Sequence, residues 1–241
     1  MVHAPQRTAL SGPTLVRLLA RVAQAQVAEP RQSLSDRLSD WLGWTDAITL
    51  SSALTSATGH ARAPGSDAEA NAQALSERVR ASLTRAIAAT ARGPAPQPRS
   101  HASPAEPPPP DYADFRQRYQ SLQQTMESDI GELRQRLRAM LAATTPGMAK
   151  LASVDAVMER SLGTRERSLL ASVPTLLGAH FERLRDAAQP AGQADANVGV
   201  GAAPSGAWLR AFVDDLRSVL LAELEVRFQP VEGLLAALRN R

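Results

Sequence analysis

Histidine is the residue type of this chain that first suggests metal or acid–base chemistry. Its four copies are His3, His60, His101 and His180. The first three lie in a terminus or in predicted loops. His180 lies in a predicted helix, without a second histidine or a carboxylate at a metal-binding spacing. Because cysteine is also absent, thiolate chemistry and disulfides are excluded, and we predict no metal, no cofactor and no catalytic residues.

Paired carboxylates could also carry out acid–base or metal chemistry. Asp214 and Asp215 are adjacent, and Glu223 and Glu225 are two positions apart, all in a predicted helix. Side chains at these spacings point in different directions on a helix, so we interpret them as a solvated face. The glycine-rich stretch GVGAAPSG at 199–206 lacks the lysine that a phosphate-binding loop requires. No small-molecule substrate is indicated.

Arginine accounts for all but one of the 27 basic residues, and the formal net charge is +3. The densest run is RQRLRA, with Arg134, Arg136 and Arg138. Acidic residues lie within one or two turns of it, so we interpret the run as a salt-bridged helix flank. A nucleic-acid-binding protein concentrates its positive charge on one face or tail, whereas here the charge is evenly spread. Nucleic-acid binding through arginine-rich helix faces is therefore the alternative that we disfavour.

Aromatic residues make up only 4% of the chain, and large aromatics are enriched both in cores and in binding hot spots. They provide the candidate interaction surface. Its predicted members are Trp41, Trp44, Phe115, Tyr119, Trp208 and Phe212.

Trp41 and Trp44 surround a predicted helix break. One helix through 34–54 would carry its apolar stripe onto the opposite face, at about 100° per residue. Gly43 readily ends a helix, and Thr45 can cap the next one. We predict a break there, with Trp41 buried and Trp44 the more exposed. The pair is either a packed helix corner, which we favour, or a partner-binding surface.

Helix boundaries elsewhere follow from caps and prolines. The first helix is predicted to begin at Ser11 or Pro13 and to end at Pro30, and the second to begin at Ser33 or Ser35. From 111 to 143, apolar residues recur at spacings of three and four. This pattern predicts a long coiled-coil-like helix. TTPG at 144–147 predicts a turn that folds a second helical run back against it, and Pro174 should kink or divide that run.

The predicted segments are six. They are an N-terminal helical segment (1–58), a loop plus Ala-rich helix (59–92), a Pro-rich linker (93–110), a long helical hairpin (111–188), a flexible linker (189–206) and a C-terminal helix (207–241), which Pro230 is expected to kink. Good helix formers dominate, so we predict an all-α fold. It should be an elongated helical bundle with an antiparallel hairpin, joined by Pro/Gly/Ala-rich linkers.

Four stretches carry a resemblance to a known family: SDRLSDWLGWTDAITLSSAL, DYADFRQRYQSLQQTMESDIGELRQRLRAML, ERSLLASVPTLLGAHFERLR and VLLAELEVRFQPVEGLLAAL. Together they resemble a proteobacterial family of unknown function, domain-of-unknown-function family 3348. The resemblance brings no catalytic residues. It implies a gene neighbourhood shared with a proton-channel protein of the MotA/TolQ/ExbB type and an OmpA/MotB-like protein. It therefore implies a cytoplasmic accessory of an ion-driven envelope complex.

The function that we predict is a non-enzymatic helical scaffold or adaptor acting through protein–protein contacts. We expect protein partners or self-association, because a long apolar seam needs a second helix. No run of 18 apolar residues is present and arginines interrupt the N-terminal apolar stretch, so we expect no transmembrane segment, no signal peptide and a cytoplasmic location. A cryptic enzyme or metalloprotein is the least favoured hypothesis.

Overall fold

Helix is the only regular secondary structure in the part of the chain that the computed structural model describes, which is residues 13–25, 32–55, 67–91, 111–194 and 206–240. These residues form a packed helical bundle, which confirms the predicted all-α fold. The helices are α1 (Thr14–Ala23), α2 (Leu34–Trp41), α3 (Trp44–Thr55), α4 (Asp67–Ala91), α5 (Tyr112–Ala142), α6 (Pro146–Leu170), α7 (Val173–Ala194) and α8 (Ala207–Arg239). The Pro-rich linker at 93–110 and the loop at 59–66 lie outside the described residues.

Local capping signals place several helix ends where the sequence predicts them. Ser33 caps α2 by accepting a hydrogen bond from the Asp36 N–H at 3.1 Å. Asp111 caps α5 in the same way, and Thr145 caps α6, with Pro146 in the first turn. Each of these signals acts within one turn of the chain, so no tertiary contact is needed to define it.

Three predicted boundaries are wrong. α1 ends at Ala23 rather than at Pro30, because Gln24 adopts a left-handed conformation with a φ of 52° and closes the helix with its backbone N–H. α3 begins at Trp44, so Thr45 is not its cap. Instead the Asp46 carboxylate accepts the Gly43 N–H at 3.3 Å.

The third wrong boundary is at the end of the hairpin. α7 continues to Ala194, into the segment predicted as a flexible linker at 189–206. The added residues include Pro190 and Gly192, which disfavour a helix interior, and this is why the sequence predicted an earlier end.

α5 and α6 form the predicted antiparallel hairpin. Arg138 of α5 contacts Asp155 of α6 near the turn, and Gln123, further back along α5, reaches the carbonyl of Leu170 at the far end of α6. The apolar residues that recur along α5 at spacings of three and four are buried: Phe115, Tyr119, Leu122, Met126, Ile130, Leu133, Leu137 and Leu141. The chain divides at 171–172, and Pro174 lies in the first turn of α7, where its missing N–H costs no helical hydrogen bond.

α8 is the central helix of the bundle, because it contacts α1, α4, α5, α6 and α7. With neighbours on several sides, it buries an unusually wide face, and it continues through Pro230 without ending. The described helices other than α2 and α3 contribute to one continuous cluster of buried apolar residues. α3 contributes no buried residue and packs on α6 at the outside of this core.

Candidate interaction surface

Most of the aromatic residues predicted as a partner surface pack inside the chain instead. The centroids of the Phe115 and Phe212 rings are 5.2 Å apart, and those of Phe181 and Trp208 are also 5.2 Å apart. Phe115, Tyr119 and Phe212 are buried, and Trp208 is half-buried against the same core. The prediction is therefore corrected for Phe115, Tyr119 and Phe212. These side chains fill the interface between α5, α7 and α8, and burying them stabilises the bundle.

Glu223 is the largest departure from the sequence interpretation, because its side chain is completely buried rather than solvated. Its carboxylate accepts hydrogen bonds from the Tyr119 hydroxyl at 2.6 Å, the Gln123 amide at 3.0 Å and the Arg227 Nε at 3.0 Å. Arg227 is also nearly buried, and its Nη1 lies 3.4 Å from Glu166. We call Tyr119, Gln123, Glu223 and Arg227 the buried polar network.

The buried polar network has a structural role. Gln123 also donates to the carbonyl of Leu170 at 3.1 Å, and so satisfies a backbone acceptor at the end of α6 that has no helical partner. Burial, followed by the neighbouring Glu223 carboxylate, raises the pKa of Tyr119 well above its ordinary value, which keeps its hydroxyl proton available for donation. The network thus joins α5, α6 and α8 at the level where α6 ends.

A sequence signal for the buried polar network was present. Glu223 and Arg227 are four residues apart and continue the spacing of the apolar stripe of α8 that includes Phe212, Leu216 and Leu220. Charged residues within an apolar stripe indicate a buried pair. Glu225, by contrast, lies off that stripe and is exposed.

The arginine run of α5 is salt-bridged, as predicted. Arg134 and Arg138 both bind Asp155, at 2.8 and 2.9 Å, and both also contact Glu159. Arg136 pairs with Glu132 on its own helix. The partners of Arg134 and Arg138 come from α6, so this charge stabilises the hairpin and does not form a free cationic face.

His180 contacts an aspartate on another helix, which the sequence did not reveal. Its Nε2 lies 2.9 Å from Asp215, whose other oxygen accepts a hydrogen bond from Arg21 at 2.8 Å. These contacts fasten α1 and α7 to α8. No group of three metal-binding side chains occurs among the described residues, while His3, His60 and His101 lie outside them.

The corner between α2 and α3 gives its two tryptophans unequal environments. Trp41 is half-buried, and the guanidinium carbons of Arg37 and Arg165 lie 5.3 and 4.8 Å from the centre of its ring. Trp44 is 81% exposed. The predicted order of exposure is therefore right. Trp41, however, packs between cations at the surface and is not part of an apolar core.

Trp44 begins an apolar face on the outside of α3. Ile48, one turn further along, is 51% exposed, and Leu54 near the end of the helix is 53% exposed. Residues four apart lie on the same side of a helix, so Trp44 and Ile48 form a continuous apolar patch. We call Trp44 and Ile48 the α3 face. It is the part of the predicted surface that the fold leaves open.

In the described part of the chain, no helix is long and apolar enough to cross a membrane. No curated protein and no solved structure matches the sequence. Residues 1–240 match the family described as Protein of unknown function (DUF3348). The match agrees with the resemblance carried by the four quoted stretches. Since it extends over nearly the whole chain, the protein belongs to the DUF3348 family.

Proposed function

We propose that this protein is a non-enzymatic helical scaffold or adaptor that binds another protein through the α3 face. The observation that carries the proposal is the exposure of Trp44, at 81%, beside Ile48, at 51%. Tryptophan is among the residues that contribute most to binding energy at protein interfaces. A chain with three tryptophans that leaves one of them this accessible, next to a second large apolar side chain, has a suitable anchor.

The remaining distinctive groups of the molecule support a structural role. The buried polar network, the arginines on α5 and the pair of His180 with Asp215 all make contacts between helices of the same chain. These contacts hold a rigid frame on which α3 is placed from outside. A rigid frame lowers the entropic cost of binding, because the surface is already ordered.

The family resemblance suggests where the partner protein is found. An ion-driven envelope complex of the MotA/TolQ/ExbB type is the first place to seek the bound protein. The chain would act there as an accessory in the cytoplasm. A second copy of the chain is the other protein partner to test.

The test compares capture by the tagged full-length protein with capture by two variants. Trp44→Ala combined with Ile48→Ser removes the α3 face, while Val16→Ser on α1 changes another apolar residue that is 38% exposed. We expect one or more proteins from the source cells to bind the wild type and the Val16 variant but not the α3 variant. Light scattering over a range of concentrations shows whether that protein is a second copy. Identical captured proteins for all three, with no self-association, would refute the proposal.

A further inference from the structure

Two arginines meet at the Trp41 ring, three residues before the start of the α3 face. The guanidinium groups of Arg37, on α2, and Arg165, on α6, both lie over the Trp41 ring, with their central carbons within 5.3 Å of its centre. Neither forms an ion pair with a carboxylate among the described residues, and both side chains are exposed. By contrast, Arg134 and Arg138 share Asp155. The corner therefore brings two guanidinium groups to one ring, with no ion pair to either of them among the described residues.

A cation–π contact leaves these two arginines able to bind an anion. A guanidinium contacts an aromatic ring with its flat face, while its N–H donors lie along its edge. The edge can then form paired hydrogen bonds with a carboxylate. Trp41 thus holds Arg37 and Arg165 in place without using their donors, which reduces the side-chain entropy that binding would cost.

Exposed apolar side chains occur near the Trp41 ring on which the two arginines meet. Trp44 follows Trp41 by three residues across the helix break, and α3 packs against α6, which carries Arg165. On α6, Leu169 lies one turn beyond Arg165 and is 61% exposed. Positive charge and exposed apolar area therefore occur side by side.

We infer that the α3 face takes an acidic amphipathic segment of a partner protein. Its apolar side chains would pack on Trp44 and Ile48, and its flanking carboxylates would pair with Arg37 and Arg165. The inference rests on the proposed function and adds the chemistry of the partner. A nucleic acid suits the site less well, since only Trp44 of the two α3-face side chains offers a base a stacking surface.

Carboxylates on the protein also favour a peptide over a phosphate backbone. Asp40 lies in the last turn of α2, and Asp46 lies in the first turn of α3. A strand with one phosphate per nucleotide would be repelled by both. A peptide can place its few acidic side chains beside the arginines alone.

Labelled peptides of about 18 residues test the inference by fluorescence anisotropy with the full-length protein. One has leucine at i, i+3, i+4 and i+7, with glutamate at the flanking positions and alanine elsewhere. The second has lysine in place of glutamate, and the third has serine in place of leucine. An oligothymidine is the nucleic-acid probe. Each is titrated at about 50 and about 300 mM NaCl, because screening weakens exposed charge pairs.

We expect only the peptide with leucine and glutamate to bind, and more weakly at the higher salt. Trp44→Ala should weaken it about tenfold or more. Arg37→Gln and Arg165→Gln should each weaken it about two- to fivefold. Arg210→Gln, which changes an exposed arginine on α8, is the control and should have no effect. Circular dichroism confirms that each variant is folded.

Several results would overturn the inference. They are no binding of the acidic peptide, equal binding of the lysine peptide, stronger binding of the oligothymidine, or no effect of either arginine substitution. If the capture experiment still identifies a partner that depends on Trp44, only the partner chemistry is wrong and the proposed function stands. If capture also fails, both are wrong.

Discussion

Replacing Glu223 by glutamine measures what the buried polar network contributes to stability. The substitution keeps the shape of the side chain, so it opens no cavity, but it removes the negative charge. Arg227, whose side chain is 7% exposed, then keeps Glu166, at 3.4 Å, as its one charged partner among the described residues. Removing one member of a buried ion pair costs about 3–5 kcal/mol, because the other charge stays buried without compensation. The Tyr119 hydroxyl and the Gln123 amide also lose their charged acceptor.

Glu232→Gln provides a matched control on the same helix. Glu232 also pairs with an arginine, Arg80, but its side chain is 59% exposed. Exposed pairs of this kind contribute about 0–1 kcal/mol. The same chemical change should therefore have a several-fold smaller effect at position 232 than at position 223.

Urea unfolding followed by far-ultraviolet circular dichroism gives the free energies. We expect Glu223→Gln to lower the midpoint by the equivalent of about 3–5 kcal/mol, with an unchanged denaturant dependence. The double variant Glu223→Gln with Arg227→Met should recover part of that loss, since it removes the orphaned charge. A loss below about 1 kcal/mol, or a double-mutant cycle without coupling, would refute the account of the network.

Three further predictions concern packing, ionisation and the hairpin. Gly178→Ala should lower the free energy of unfolding by about 1–3 kcal/mol, because the added Cβ would lie 2.8 Å from the Tyr112 ring. Gly131→Ala, whose Cβ would have nothing within 4 Å, should instead raise it by about 0.5–1 kcal/mol. Equal effects of the two substitutions in thermal unfolding would contradict this explanation. Burial raises the pKa of Tyr112 to about 12 and that of Tyr119 well above its ordinary value. The two neutral phenols therefore contribute fully to the stability of the fold below pH 10, and this contribution is lost as the pH rises through the native pKa values. Since the chain has two tyrosines, near-ultraviolet tyrosinate absorbance should rise at higher pH for native than for urea-unfolded protein, and coincident curves would be evidence against burial. Asp155→Asn should cost about 1–3 kcal/mol, because two largely buried arginines share that carboxylate, and a change below about 0.5 kcal/mol in urea unfolding would show that the pairs contribute little.

The long helix and its turn could be predicted in detail because their signals are local or periodic. The apolar seam of α5 repeats at the helical period, and its predicted positions are buried. Ser33, Asp111 and Thr145 act on backbone groups within one turn. Such interactions are fixed by neighbours in the chain, whatever the rest of the fold does.

Local signals fail where several conformations satisfy them. Thr45 was a plausible cap, yet the Asp46 carboxylate binds the Gly43 N–H instead. Gln24 ends α1 in a left-handed conformation, although glutamine is a good helix former. The energy differences involved are about 1 kcal/mol, so a small tertiary contribution is enough to decide among them.

By itself, the sequence determined that this protein is helical, that it has a long antiparallel hairpin, and that Trp44 is more exposed than Trp41. Tertiary structure decided how wide a face is buried on α8. Its contacts with five other helices bring Glu223 inside, where Tyr119 and Gln123 complete its hydrogen bonds. It also decided that α3 rests on α6 with Trp44 and Ile48 outward. The physical reason is that burial depends on the partners of a helix, and those partners are distant in the chain.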